Sequence, residues 1–137
     1  VQEEAAGKPI LVKIAPDLAD EDIVEVAQLC LELKLAGVIA TNTTISRAGL
    51  VSDTKKVEEI GAGGLSGAPL KERSVEVLRI LAAKLDGKAA IISVGGIETA
   101  QDAQLRLDLG ATLVQGYSGF IFNGPLWARR INRQLTK

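Results

Sequence analysis

The sequence predicts an α/β fold in which four βα units follow one another, as in half of a TIM (β/α)8 barrel. Two observations support this prediction. Short apolar runs typical of buried strands alternate with longer segments of helical periodicity, and glycine or small polar residues follow these runs. Helical crossovers between strands require a parallel sheet, and right-handed connections curve such a sheet toward a barrel. We therefore expect residues 1–137 to form a single domain around four parallel strands.

The first strand is expected over residues 9–15, and Lys13 is the unusual residue within it. Alternation places Ile14 on one face of this strand and Lys13 on the other. A lysine in an apolar strand must either extend its ammonium group to water or face a polar interior. Because Pro16 ends the strand shortly after it, we favour a ligand-facing role for Lys13.

The other elements follow from apolar periodicity and from residues that begin or end helices. A cap near Asp20 is expected to begin the first helix, and Thr99 with Asp102 forms a capping-box pattern at a later one. Segment 45–64 is longer than the usual βα connection, which is typical of a functional cover or of disorder. The remaining strands are expected at 37–40, 91–94 and 112–116, and the helices at 21–34, 69–85, 99–109 and 125–135, with a short helical piece before residue 123.

Two glycine-rich turns follow the last two expected strands. Gly95 and Gly96 form the first turn, and residues 116–119 form the second. Glycines expose backbone N–H groups, and the helix start after the first turn adds aligned peptide dipoles, so both features suit an anion such as phosphate. The loops after the last two strands of (β/α)8 barrels commonly bind phosphate. Two ordinary βα turns remain the alternative, because a pair of glycines is weak evidence by itself.

Small polar residues and glycines also follow the second strand and precede the next helix. Residues 41–44 supply hydroxyl and amide groups at the carboxyl end of a strand, where barrel enzymes bind their ligands. The alternative for this run is a set of Asx and Ser/Thr turns that closes a loop. Residues 63–67 offer a further stretch of glycine-exposed backbone.

Composition excludes several classes of function. Sixteen basic and seventeen acidic residues give a net charge of −1, so no overall field favours nucleic acid. With no histidine and one cysteine, we expect neither a metal site nor a disulfide. Cys30 lies on an apolar helical face and is expected to be a buried core thiol. The arginines of the last helix are typical of a solvated face, namely Arg129, Arg130 and Arg133.

Length indicates a piece of a larger fold. The chain has 137 residues, whereas a complete eight-fold barrel has about 250. The absence of methionine also suggests a fragment or a processed chain. No apolar run reaches the roughly 18 residues of a membrane-spanning helix, and we expect the piece to be soluble.

Five motifs, in this order, resemble dihydroorotate dehydrogenases. They are Leu-Val-Lys-Ile-Ala-Pro-Asp-Leu around Lys13, Thr-Asn-Thr-Thr from Thr41, Gly-Gly-Leu-Ser-Gly-Ala-Pro-Leu from Gly63, Val-Gly-Gly-Ile from Val94 and Leu-Val-Gln-Gly-Tyr-Ser from Leu113. The Ile-Ser-Arg-Ala-Gly-Leu run after the second motif resembles the membrane-associated, quinone-dependent class 2 more than the soluble class. The resemblance implies a barrel that contains FMN and oxidises dihydroorotate to orotate in de novo pyrimidine biosynthesis.

The resemblance also implies roles for individual residues. Lys13 would lie beside the flavin pyrimidine edge, where its charge stabilises negative charge that develops as hydride arrives. Asn42 and Thr43 would hydrogen-bond the substrate. Ser118 stands where many relatives would have threonine. The residues expected to contact FMN besides Lys13 are Thr41, Ser66 and Gly67, together with Gly95, Gly96, Tyr117 and Ser118 at its phosphate.

The resemblance covers only the C-terminal half of the catalytic barrel. It implies that the catalytic serine, the membrane-associating helices and the quinone tunnel precede Val1, so we assign no catalytic residue and expect the fragment alone to be inactive. The full-length parent would be peripheral on a cytoplasmic or mitochondrial inner membrane. Open sheet edges lead us to expect self-association of the fragment. Two other functions remain open, a non-catalytic phosphate- or nucleotide-binding half-barrel and a purely structural one.

Overall fold

The computed structural model describes residues 5–135 and contains a four-stranded parallel sheet. The strands pair in chain order, each with the next, and every pairing is parallel. This arrangement confirms the predicted fold class and brings the carboxyl ends of all four strands to one edge. The strands are β1 (Leu11–Ile14), β2 (Gly37–Ala40), β3 (Ala90–Val94) and β4 (Leu113–Gln115).

Six α-helices occur within the described part of the chain. A short 3-10 helix at Ala68–Leu70 also leads into the third of them, which agrees with the expected position of Pro69 in a first turn. The second helix lies inside segment 45–64, where no element was expected, and Asp53 caps it by accepting hydrogen bonds from two backbone N–H groups. The helices are α1 (Asp20–Glu32), α2 (Thr54–Glu59), α3 (Lys71–Leu85), α4 (Ala100–Asp108), α5 (Ser118–Asn123) and α6 (Trp127–Leu135).

Some element boundaries differ from the predicted ones. β1 covers four residues instead of 9–15, because only these pair with β2. The N-cap of α1 lies next to Asp20, close to the expected position, but it is Ala19, and no side chain there accepts a hydrogen bond from the helix. Three acidic residues in the first turn still match the positive end of the helix dipole. The α1 start therefore depends on charge rather than on a capping side chain.

The main core lies between the sheet and the helices α1 and α3. Apolar residues of α3 recur on one helical face and pack against buried strand residues. Cys30 of α1 is 1% exposed within this core, which confirms the predicted core thiol. Burial raises the pKa of the Cys30 thiol and thus disfavours its thiolate. Fully buried members of this core include Ile23, Ala27, Val38, Val77, Leu78, Leu81 and Leu85.

A smaller apolar cluster joins α4 to α6. Trp127 and Ile131 of α6 pack with Ala103 of α4 and with Ile97 from the turn after β3. The three arginines of α6 are exposed, as expected of a solvated face. No helix among residues 5–135 combines the length and the apolar character needed to cross a membrane.

Arg73 of α3 holds the loop between β1 and α1. Its Nε donates to the carbonyl of Pro16 at 3.0 Å, and its Nη2 donates to the carbonyl of Leu18 at 2.8 Å. Its Nη1 forms ion pairs with Asp20 and Glu76. Burial lowers the pKa of Arg73, but these two carboxylates outweigh that effect and raise it. The carboxyl end of β1 is thereby fixed against the helix layer.

The capping box at the start of α4 forms as predicted. The Asp102 backbone N–H donates to Thr99 Oγ1 at 3.2 Å. Asp102 Oδ2 accepts from the N–H groups of Glu98 and Thr99 at 3.1 and 3.0 Å, and Lys71 Nζ pairs with its other carboxylate oxygen. Asp102 is 5% exposed. Burial raises the pKa of Asp102, but the bonds from Lys71 and from the capping groups outweigh burial and leave it lowered.

We expect Asp102→Asn to lower the free energy of unfolding at pH 7 by about 1–3 kcal/mol, because the amide replaces a buried, charged acceptor. The pKa of Asp102 is lower in the folded chain than the ~3.9 of an unfolded aspartate. Its contribution is therefore present above about pH 4 and is lost as pH falls through the folded pKa. Urea unfolding at pH 7 and pH 3 measures this.

The exposed Asp108 of the same helix provides the control. Asp108→Asn should change the free energy of unfolding by less than about 0.5 kcal/mol. An Asp102→Asn effect of the same size at both pH values would contradict the assigned role of the carboxylate.

Candidate functional site

A cavity of about 420 Å³ opens at the carboxyl ends of the four strands. Its size falls in the range of about 300–1,000 Å³ that is usual for small-molecule sites. All residues singled out from the sequence as binding residues line it, because parallel pairing brings every strand end to the same edge. Their binding roles remain predictions. These residues are Lys13, Thr41, Asn42, Thr43, Ser66, Gly67, Gly95, Gly96, Tyr117 and Ser118.

Lys13 enters the cavity from β1. Ile14, its neighbour, is buried in the core, so the predicted placement on opposite faces is confirmed. Among residues 5–135, no carboxylate lies within ion-pair distance of Lys13. The ammonium charge is therefore available to a ligand in the cavity.

The polar run after β2 extends the sheet beyond the strand itself. The Thr41 N–H donates to the carbonyl of Val94 at 2.9 Å, and the Asn42 N–H donates to the carbonyl of Ile14 at 2.7 Å. Asn42 Oδ1 accepts from the Thr43 N–H at 2.9 Å, which is a local side-chain turn. The run therefore forms a local turn and also lines the cavity, and its ligand-binding role remains a prediction.

Hydrogen bonds hold the two ends of the long segment 45–64 together. Thr44 and Leu65 exchange two backbone hydrogen bonds of 3.1 and 2.8 Å across an antiparallel bridge. The Thr44 hydroxyl donates to the carboxylate of Asp17, and the guanidinium of Arg47 donates to the carbonyl of Gly63. The disordered alternative for segment 45–64 is therefore wrong, while a covering role remains open.

The backbone after this segment crosses the cavity toward the turn after β4. A Cβ on Gly64 would overlap the side chain of Thr43, and a Cβ on Gly67, at φ +84°, would lie 3.4 Å from Cβ of Ser118. The hydroxyl oxygens of Ser66 and Ser118 lie 2.9 Å apart. This contact links the connection between β2 and α3 to the turn after β4.

The first glycine turn is shaped by close packing as well as by backbone conformation. Gly95 and Gly96 adopt φ values of +116° and +68°. A Cβ on Gly96 would lie 2.5 Å from Cα of Lys71 in α3. Glycine at position 96 is therefore required by the approach of α3, independently of any bound anion.

The capping box occupies part of the start of α4, and the contribution of this helix start to an anion site remains a prediction. The carboxylate of Asp102 accepts the N–H groups of Glu98 and Thr99. Thr99 is also absent from the cavity lining. The backbone that faces the cavity comes instead from the turn preceding α4 and from the turn after β4.

Trp127 contacts both glycine turns, a role that no sequence pattern indicated. Its Nε1 donates to the carbonyl of Glu98 at 2.7 Å. A Cβ on Gly116 would overlap its ring, and a Cβ on Gly119 would lie 2.9 Å from ring carbon Cζ2. Tyr117 lies between these glycines, lines the cavity and is 74% exposed to solvent. The lone tryptophan therefore sets the spacing of the second turn.

The buried polar residues behind the first turn were also missed from the sequence. Arg106 of α4, Ser74 of α3 and Ser93 of β3 are all buried. One signal was available, since Arg106 lies three residues after Ala103 and thus on the buried face of α4. No group of three His, Cys, Asp or Glu residues in the described part of the chain could hold a metal ion.

Comparison with known proteins gives one consistent family. A family model described as dihydroorotate dehydrogenase matches residues 1–137. The chain is 64% identical to a dihydroorotate dehydrogenase (quinone) of Pseudarthrobacter chlorophenolicus, with 98% of this chain and 38% of that protein covered. It is 62% identical to a protein of the same description from Leifsonia xyli, with 99% of this chain and 40% of that protein covered.

Solved structures agree with this result. The chain resembles a crystal structure of DHODH from Eimeria tenella in complex with ferulenol, with a TM-score of 0.85 and 43% identity over 93% of this chain and 33% of that one. A ligand-free form of the same protein gives a TM-score of 0.83 and 44% identity over 91% of this chain and 34% of that one. This chain thus spans about two fifths of its curated relatives. The fold, the motifs and both comparisons show that the chain belongs to the dihydroorotate dehydrogenase family, in its quinone-dependent class.

Proposed function

We propose that this chain forms the FMN-binding part of a dihydroorotate dehydrogenase, which as a whole protein oxidises dihydroorotate to orotate in pyrimidine biosynthesis. The observation that carries the proposal is the single cavity at which residues from Lys13 to Ser118 meet. It combines a cation on one side with two glycine turns on the other. Membership of the family supplies the reaction and, with its quinone-dependent class, a quinone as electron acceptor.

The residues of the cavity fit FMN. Leu70, Val94 and Ile97 supply apolar surface of the kind that packs against an aromatic ring system. Hydroxyl groups and glycine backbone supply donors for a phosphate. Glu98 is the acidic residue in the lining, and its carbonyl is held by Trp127. When bound, FMN would supply the hydride-accepting chemistry, which no side chain of this chain provides.

The residues of this chain would bind FMN and the substrate and orient them toward each other. The ammonium group of Lys13 would place positive charge beside the ring system, where negative charge develops during reduction. Thr41 is held by its hydrogen bond to Val94 and would contact the ring. Asn42 and Thr43 would donate to the substrate's carboxylate or accept from its ring amide, which fixes the substrate against the flavin. Ser66 and Gly67 would contact the ring or the chain that links it to the phosphate, and Ser118 would donate to the phosphate itself.

The general base that removes the substrate proton is not assigned to any residue of this chain. We attribute it to a part of the relatives' length that this chain does not span. A longer protein that reduces a quinone would meet that acceptor at a membrane surface. The proposed location of the whole enzyme is therefore peripheral on a membrane.

The first test is an absorption and fluorescence titration of the protein with FMN. We expect a shifted flavin band and quenched fluorescence on binding. Ser118→Ala should weaken binding by about tenfold, because a hydrogen bond to a charged group contributes about 1.5–3 kcal/mol. Ser52→Ala, in an exposed turn, is the matched control and should leave affinity unchanged.

An unchanged flavin spectrum would contradict the proposed function. Equal binding of unrelated phosphates, without preference for FMN, would favour a general phosphate- or nucleotide-binding half-barrel instead. No binding of any phosphate would favour a structural role.

Lys13→Met keeps most of the side-chain volume and removes the charge. In the whole enzyme we expect reduction of the flavin by dihydroorotate to slow by about 10²–10³, the size of effect that follows loss of one contact to developing charge. Stopped-flow absorbance measures this rate. Lys8→Met, an exposed change just before β1, is the control. Reduction at the wild-type rate in Lys13→Met would remove Lys13 from the catalytic machinery.

Self-association of this chain is proposed from its open sheet. β1 and β4 each pair on one side only within the described part, and Val12 and Leu113 on these strands are 38% and 59% exposed. Unpaired strand edges favour pairing with another chain, and a second copy offers matching edges. Sedimentation velocity at micromolar concentration should show a dimer or larger species. A compact monomer would contradict this proposal.

A further inference from the structure

A buried arginine lies directly behind the first glycine turn. Arg106 of α4 is 1% exposed. Its Nη2 donates to the carbonyl of Gly95 at 3.0 Å, to Ser74 Oγ at 2.9 Å and to the carbonyl of Lys71 at 3.1 Å. Its Nη1 lies 3.3 Å from Ser93 Oγ. One side chain therefore ties α4 to α3, to β3 and to the turn that lines the cavity.

Among residues 5–135, no carboxylate binds the Arg106 guanidinium directly. All four hydrogen bonds go to uncharged oxygens. Burial lowers the pKa of Arg106, and the charge of Asp102 acts in the opposite sense. The guanidinium nevertheless stays protonated near neutral pH. A buried charge is expensive unless an opposite charge lies nearby.

Asp102 also forms an ion pair with Lys71, whose side chain is 49% exposed to solvent. Arg106 is therefore the buried cation of this group, and its nearest carboxylate is shared with Lys71. The cavity lies on the other side of Gly95 from Arg106, and exposed Glu98 also lines it. An anion bound at the glycine turn would lie close to the positive charge of Arg106.

The hydrogen bond to Gly95 also sets the orientation of a peptide group. The Gly95–Gly96 peptide is not among the cis bonds of the chain, so its carbonyl and its N–H point in opposite directions. Arg106 and Ser74 both donate to the Gly95 carbonyl, from the buried side. The Gly96 N–H is consequently directed away from Arg106, toward the cavity that Gly96 lines.

We infer that Arg106 is a positioning residue for the phosphate of the ligand: it turns the Gly95–Gly96 peptide so that its N–H faces the anion, and it supplies positive charge behind that turn. This inference rests on the proposed function, and it adds a residue that lies outside the cavity lining. Arg106 does not touch the ligand, because the turn separates the two. If Arg106 only stabilised the fold, its loss would weaken binding of the flavin ring and of the phosphate equally.

Riboflavin distinguishes these roles, because it shares the ring and ribityl chain of FMN and lacks the phosphate. The flavin-free protein is titrated with FMN and with riboflavin, and the ratio of the two affinities is compared among variants. In Arg106→Met we expect FMN affinity to fall by about tenfold or more while riboflavin affinity changes by less than about threefold. Arg106→Lys keeps a charge but cannot span four oxygens, so its ratio should lie between those of wild type and Arg106→Met.

Arg79→Met is the matched control, since Arg79 lies exposed on α3 and the change removes the same charge. Its affinity ratio should equal that of wild type. If Arg106→Met weakens the binding of FMN and riboflavin equally, the inference is overturned, because loss of a residue that only stabilises the fold would have that effect. If circular dichroism shows that Arg106→Met does not fold, Arg106→Lys decides: a lowered ratio supports the inference and a wild-type ratio overturns it. Binding of neither flavin by the wild-type protein would reject the proposed function as well.

Discussion

The close approach of α3 to the turn after β3 is the contact on which the rest of the site depends. Gly96 has no room for a side chain, because Cα of Lys71 would lie 2.5 Å from its Cβ. This contact brings Lys71 and Ser74 to the turn from α3, where Asp102 and Arg106 meet them from α4. These contacts hold α3 and α4 against the carboxyl end of β3 at Gly95 and Gly96.

The consequence is a cavity wall that is fixed before any ligand binds. Arg106 and Ser74 hold the Gly95 carbonyl, and Trp127 holds the carbonyl of Glu98 while its ring packs against the turn after β4. A site whose donors are already oriented loses little conformational entropy on binding. The apolar and hydroxyl-bearing residues of the other strand ends complete the lining of the cavity, in which we propose that FMN binds.

Sequence patterns were sufficient for the order of the four strands and for the residues at their ends, but they did not indicate α2 within segment 45–64. Lys13 was found because a charge interrupts an apolar strand, and the Thr99–Asp102 capping box was found because its spacing is local. The start of α1 was predicted to within one residue, but its N-cap residue is Ala19, which offers no side-chain acceptor. The Ala40–Thr41 peptide bond is cis, which no pattern predicts because such bonds are rare outside proline. Arg106 and Trp127 were missed because their partners lie far away along the chain.

The sequence by itself determined the four parallel βα units and the set of residues that meet at one edge, because strand alternation, helical periodicity and caps depend on neighbours within a few residues. It also contained the ordered motifs from which the family could be recognised. Only the tertiary structure decided that Arg106 donates to the Gly95 carbonyl in the turn before α4 and that Trp127 packs against the turn after β4. The hydrogen bonds of Arg106 to Gly95 and of Trp127 to Glu98 join residues 11 and 29 positions apart. Such contacts arise only when whole elements pack, so local sequence patterns carry no record of them.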